Sequence, residues 1–129
     1  MNKIIPINYK DKQENEKMTE YYENGQMEYE VNFKNGKQDG KMINYYENGQ
    51  MKLIENYKND KLHGNVEVYL SNNGQISIKK NFKDGKEDGI QIGYWDSGQL
   101  MYEKNYKDGE LTSKVTYSES GELIETKDY

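Results

Sequence analysis

Residues 45–64 read Tyr45-Tyr46-Glu47-Asn48-Gly49-Gln50-Met51-Lys52-Leu53-Ile54-Glu55-Asn56-Tyr57-Lys58-Asn59-Asp60-Lys61-Leu62-His63-Gly64, and their pattern decides the fold. Between the turn signals Asn48-Gly49 and Asn59-Asp60, the side chains Met51, Leu53 and Tyr57 recur at period 2, which is the pattern of a half-buried strand. A helix would not keep that alternation. Ahead of Asn-Gly stands a second strand ending in an aromatic pair, and Asn-Gly flanked by such strands is a strong short-range hairpin signal.

Outward from this stretch the same unit returns along the whole chain. The turn glycine recurs at Gly25, Gly49, Gly74, Gly98 and Gly121, with spacings of 24, 25, 24 and 23. A second punctuation follows each of the first four turns, at Asn35-Gly36, Asn59-Asp60, Asp84-Gly85 and Asp108-Gly109, and a third glycine comes at Gly40, Gly64 and Gly89. A fixed period of this length marks a repeat architecture whose units cover one another's apolar faces. The alternating sets are Met27, Tyr29, Val31, Phe33; Met51, Leu53, Tyr57; Ile76, Ile78, Phe82; Leu100, Tyr102, Tyr106; and Leu123, Tyr129. Twenty-four residues before Phe33 lies Tyr9, and Ile5, Ile7 and Tyr9 extend the inner column, with residues 13–17 in the place of the next connecting loop. The third unit carries one extra residue around Leu70-Ser71-Asn72-Asn73, which predicts a bulge or a wider turn.

The expected fold is therefore all-β: an elongated, curled, single-layer antiparallel meander of about eleven strands. It is built from about five tandem hairpin units over residues 1–129, with a half unit at 3–17 and repeats at about 18–40, 41–64, 65–89, 90–113 and 114–129. Connections this short leave no room for a crossover. Composition agrees. Leu, Ile, Val and Phe make up only 22 of 129 residues, so the chain folds through its 13 tyrosines, while the absence of alanine speaks against helix.

The tyrosine, Asn-Gly, aromatic, Asn/Asp-Gly-Lys and final glycine order, as in Tyr45 to Gly64, resembles the bacterial variant of the MORN repeat, and the likeness spans residues 3–129. The departures are Asp60 for glycine, Ser113 at the third glycine position, and the insertion near Asn72. The resemblance implies a protein-interaction module, an antitoxin-like or immunity-like component that binds a bacterial toxin or effector; the residues themselves, with no nucleophile beside a base and no signal-peptide or transmembrane run, lead to the expectation of a non-enzymatic, cytoplasmic protein. MORN repeats elsewhere serve as protein-binding or membrane-associated scaffolds.

Charge and residue types narrow the classes. All 18 basic residues are lysine and the net charge is −5, a balance against nucleic acid and against an anionic membrane surface. The first residues carry no signal-peptide apolar run, and with no cysteine the chain needs no oxidising compartment. No metal or cofactor is expected. The segment Asp84-x-Lys86-x-Asp88-Gly89 fails as a calcium loop because a lysine and Trp95 stand where ligands belong, and one histidine, His63, expected exposed in a loop, cannot make a zinc site.

The candidate partner-binding surface follows from alternation. If Tyr21, Tyr45 and Tyr94 are core, then Tyr22, Tyr46 and Trp95 face outward, together with Met42, Ile54, Met101 and Ile124. Such a row suits a protein partner, or, as the alternative, carbohydrate or cell wall. The asparagine column Asn8, Asn32, Asn56, Asn81 and Asn105, with Asp128 in the sixth place, is expected to be structural. The lysine column Lys10, Lys34, Lys58, Lys83 and Lys107 lies on one long edge, and Glu23, Glu47, Asp96 and Glu119 line the other. Pro6 and the charges of residues 123–129 protect the terminal edges, which predicts a monomer or weak dimer.

Overall fold

The computed structural model describes residues 15–129. They form β1 (Asn15–Tyr21), β2 (Met27–Lys34), β3 (Lys37–Tyr45), β4 (Met51–Lys58), β5 (Lys61–Leu62), β6 (Gly64–Tyr69), β7 (Ile76–Lys83), β8 (Lys86–Glu87), β9 (Gly89–Tyr94), β10 (Leu100–Lys107), β11 (Glu110–Tyr117) and β12 (Leu123–Asp128). All pair antiparallel in one open sheet, in the order β1-β2-β3-β4-β6-β7-β9-β10-β11-β12, with β5 beside β4 and β8 beside β7. The short strands β5 and β8 are the first residues of longer strands interrupted at His63 and Asp88, whose N–H groups donate to the carbonyls of Asn56 and Asn81. The expected strand over residues 3–9, with Pro6, lies outside the described residues. Asn15 to Lys17 are strand, not loop: Asn15 pairs with Lys34 and Glu16 with Phe33, because no glycine is present there to turn the chain away.

Two kinds of turn alternate. At Asn35-Gly36, Asp84-Gly85 and Asp108-Gly109 both central residues have positive φ, as in 51° and 80° for the first, which is the two-residue I′ turn matched to strand twist. Asp60 takes φ 69° without glycine's freedom, and its carboxylate accepts the Gln38 N–H at 2.7 Å. The Glu-Asn-Gly turns are different. Tyr22 N–H donates to Gln26 O and Gly25 N–H to Tyr22 O, leaving a three-residue loop with Gly25 in the left-handed region as its bulge. Leu70 N–H donates to Gln75 O, so the extra residue of the third unit is taken up by a wider turn.

Cross-strand partners share a face, so the register separates the two sides of the sheet. One row runs Glu20, Tyr29, Asn44, Leu53, Val68, Ile78, Gly93, Tyr102, Thr116, Glu125 from one end to the other. This is the inner face. Tyr29 and Val31 are 0% exposed and Phe33 4%, and Met18 and Met42 pack against them. Each later strand-end aromatic lies opposite a glycine: Tyr57 across from Gly40, Phe82 from Gly64, Tyr106 from Gly89. These glycines take φ of 95°, 106° and 105°, and a Cβ on them would meet the side chains of Asn32, Asn56 and Asn81 rather than the rings. At the far end the inner column lapses, since Leu123 and Tyr129, expected to close it, are exposed.

Candidate interaction face

The opposite face carries the row Thr19, Glu30, Ile43, Ile54, Glu67, Lys79, Ile92, Glu103, Val115, Thr126. Two residues further along their strands come Tyr21, Tyr45, Tyr69, Tyr94 and Tyr117, one per unit, which alternation places on this same outer face. Opposite each tyrosine the register slips by one residue, and Glu28, Lys52, Ser77, Met101 and Ile124 are the residues skipped. A bulge of this kind bends its strand and increases local twist.

The aromatic pairs depart from the expected inside-outside assignment. Tyr21 is 56% exposed, and Tyr45 and Tyr94 are half-buried on the outer face rather than in the core. Their partners Tyr22, Tyr46 and Trp95, expected exposed, are themselves half-buried because their polar tips are engaged. Tyr22 hydroxyl donates to Tyr45 O at 2.6 Å, Tyr46 hydroxyl to Tyr69 O at 2.7 Å, and Trp95 Nε1 to Tyr117 O at 3.3 Å. The second aromatic of one unit thus braces the backbone of the outer tyrosine in the next. Leu70 has no polar tip, so Tyr94 lacks this brace. Met42 belongs to the inner cluster, and Ile54, though on the outer face, is only 9% exposed. Met101 is half-buried beside Tyr94, while Ile124 is exposed.

The braces are testable. Tyr46→Phe removes one hydroxyl and leaves Tyr69 O without its donor, so we expect a loss of about 0.5–1.5 kcal/mol in urea unfolding. Tyr22→Phe should match it, and Leu70→Tyr should move stability the other way.

The asparagine column is structural, as expected. Asn32 Nδ2 donates to Lys41 O at 2.8 Å, Asn56 to Asn65 O at 2.8 Å and Asn81 to Ile90 O at 3.2 Å, each carbonyl following one of the third glycines. Where Ser113 replaces that glycine, Asn105 Nδ2 donates to the serine hydroxyl instead, at 2.9 Å. Asn8 lies outside the described residues, and Asp128 is exposed. A second set crosses between turns: Asn24 Nδ2 donates to Glu47 O at 2.8 Å while its Oδ1 accepts Gln26 N–H. His63 is half-buried, its Nδ1 accepting the Asp84 N–H at 3.2 Å.

Tyrosine acidity records the packing. Burial pushes Tyr57 up to about 12, reinforced by the Glu55 carboxylate, which accepts its hydroxyl at 3.1 Å. Burial and Glu30 raise Tyr45, and burial and Glu67 raise Tyr69. A folded pKa above the unfolded value of 10.0 means the fold favours the neutral phenol, so this stabilisation is complete below pH 10 and is lost as pH rises towards about 12. Thermal melts across that window should show a falling midpoint, with a shallower fall in Tyr57→Phe.

Among the described residues no group of three or more His, Cys, Asp or Glu side chains could hold a metal ion, and no helix is long and apolar enough to cross a membrane. The surface offers shallow depressions, one of them lined by Tyr22, Glu28, Asn44, Tyr45 and Lys52.

No curated protein matches the chain. A similar solved structure is "Crystal structure of accessory secretory protein 1,2 and 3 in Streptococcus pneumoniae", at 17% identity and a TM-score of 0.44, over 78% of this chain and 18% of that one. Three of the units built up above, at residues 17–35, 38–59 and 87–108, match the family described as MORN repeat variant.

Proposed function

We propose that the protein is a non-enzymatic interaction module that holds a partner protein against the outer face of its sheet. The observation that carries this reading is the row Tyr21, Tyr45, Tyr69, Tyr94 and Tyr117, one tyrosine at the same place in every unit, on the side of the sheet away from the buried cluster. Tyrosine combines large apolar area with a polar tip and few rotatable bonds, which is why it anchors interfaces. Ile90, 44% exposed, together with Met101 and Ile124 adds apolar area on or beside this face. In this reading Tyr22, Tyr46 and Trp95 act by holding the row in position, while Ile54 and, from the inner side, Met42 support it. The resemblance to bacterial repeat proteins of antitoxin or immunity type extends the proposal to one bacterial toxin or effector as the partner, sequestered in the cytoplasm by a monomeric or weakly dimeric module.

The test is affinity capture of the partner from the source bacterium, then titration of the purified pair. Tyr45→Ala and Tyr94→Ala are each expected to weaken binding by about 2 kcal/mol, roughly thirty-fold, with Glu110→Ala as the neutral control. Full affinity in both tyrosine variants removes the row from the interface. Retention on glycan or liposomes, without a stoichiometric protein, replaces the reading with carbohydrate or membrane attachment.

A further inference from the structure

Along the edge formed by the I′ hairpins, lysine pairs with lysine. Lys34 stands directly opposite Lys37, Lys58 opposite Lys61, and Lys83 opposite Lys86, all six exposed, and none has an ion-pair partner among the described residues. Like charges directly opposite one another destabilise a hairpin. The fourth hairpin shows the neutral solution available to the same fold: Lys107 pairs across to Glu110 and reaches Asp88 at 3.8 Å.

Among the described residues the nearby acids make no ion pair with these six lysines. Asp60 directs its carboxylate to the Gln38 N–H, and Asp84 lies 3.5 Å from His63 Nδ1. Asp39 remains, beside Lys34, Asn35, Lys37, Lys58 and Asn59, in a depression of about 420 Å³ between the first two hairpins. The three lysine hairpins adjoin one another: Lys34, Lys37 and Lys58 line that one depression, and a Cβ placed on Gly85 would lie 4.0 Å from the Lys61 stem.

We infer that this edge binds an acidic, extended segment of a protein partner, with carboxylates at every third residue. Successive hairpins lie two strands apart, about 9.4–9.8 Å. A polyproline II segment advances about 9.3 Å in its three-residue turn, so every third side chain returns to the same side and meets the next lysine pair. A narrow line of positive charge on a protein of net charge −5 suits a single acidic strand, whereas a broad anionic surface would meet the remaining negative charge. The inference deepens the protein-binding reading and rests on it for the class of partner, but it concerns the opposite edge of the sheet, at the other ends of the strands from the tyrosine row.

The probe is a fluorescent (Glu-Pro-Pro)4 peptide, compared with (Glu-Glu-Pro-Pro-Pro-Pro)2, which has the same composition without the three-residue spacing. Fluorescence anisotropy should show the first binding about ten-fold more tightly, with affinity falling as salt rises from roughly 20 to 200 mM. Lys61→Glu and Lys86→Glu should each cost about ten-fold in peptide affinity while raising the melting temperature, since each turns a like-charge pair into an opposite-charge one. A merely solvating role for these lysines would give the second effect without the first. Equal affinity for both peptides, undiminished binding by the glutamate variants, no binding at all, or preference for phosphatidylserine vesicles over the peptide overturns the inference. Because Tyr45→Ala and Tyr94→Ala leave the lysine edge intact, they should bind the peptide normally, which separates failure here from failure of the tyrosine row.

Discussion

Tyr29→Ala is expected to cost about 3–5 kcal/mol of folding stability, a large part of the margin of an ordinary domain. Tyr29 is 0% exposed and sits between Val31 and Met27 on β2, opposite Asn44 on β3 and Glu20 on β1. Its ring fills space that a sheet with few aliphatic residues cannot refill; among the described residues, Met18 and Met42 are the partly buried hydrophobics packed against this cluster. Truncation therefore removes transfer energy and leaves a cavity. Tyr21→Ala, at a side chain 56% exposed, should fall within about 0.5 kcal/mol of the parent. Urea denaturation of both variants checks the contrast, and equal losses would contradict the assignment of faces.

Gly93→Val is the second large effect, expected at about 1–3 kcal/mol and from overlap rather than loss of contact. Gly93 is buried in β9, directly opposite Tyr102, whose ring lies over it. A Cβ there would overlap Tyr102 Cε2 and approach Cζ to 2.5 Å, so the ring must leave its place under the Lys104 ammonium, now 4.5 Å from its centroid. The glycine and the tyrosine act as one unit. A double-mutant cycle with Tyr102→Ala should therefore be strongly non-additive, the valine being much less harmful once the ring is gone. Additive losses would show that Gly93 is needed for its backbone alone.

The strands, their antiparallel order and the inner sets around Tyr29, Leu53, Ile78 and Tyr102 were legible in the period of the turn glycines and in simple alternation. The outer tyrosines were not. Alternation relates Tyr45 to Tyr46 but does not say which of the two faces the core, and the skipped residue at Lys52, Met101 and the other bulges breaks the count carried over from the neighbouring strand. One signal in the sequence pointed to the answer. Tyr21, Tyr45, Tyr69, Tyr94 and Tyr117 are tyrosine in all five units, whereas the second position admits Leu70 and Ser118. The position whose hydroxyl only braces a neighbour tolerates replacement, at the cost of one bond. Likewise one lysine of each pair was visible as a column, but its direct opposition to Lys37, Lys61 or Lys86 depended on knowing that the loops between them are two-residue turns.

Every strand of this sheet is bonded only to strands adjacent in the chain, apart from the short β5 and β8 pieces. Pulled by its two ends, such a molecule is loaded across the strands, so its hydrogen bonds meet the force a few at a time and none shares the burden with the rest. It should peel from its extremities at low force, in steps of one repeat, each releasing 24 residues or about 80 Å of chain. The rungs from Tyr22, Tyr46 and Trp95 into the next unit would register as brief pauses, and the span from Leu70 to Tyr94, which has no such rung, would pass without one.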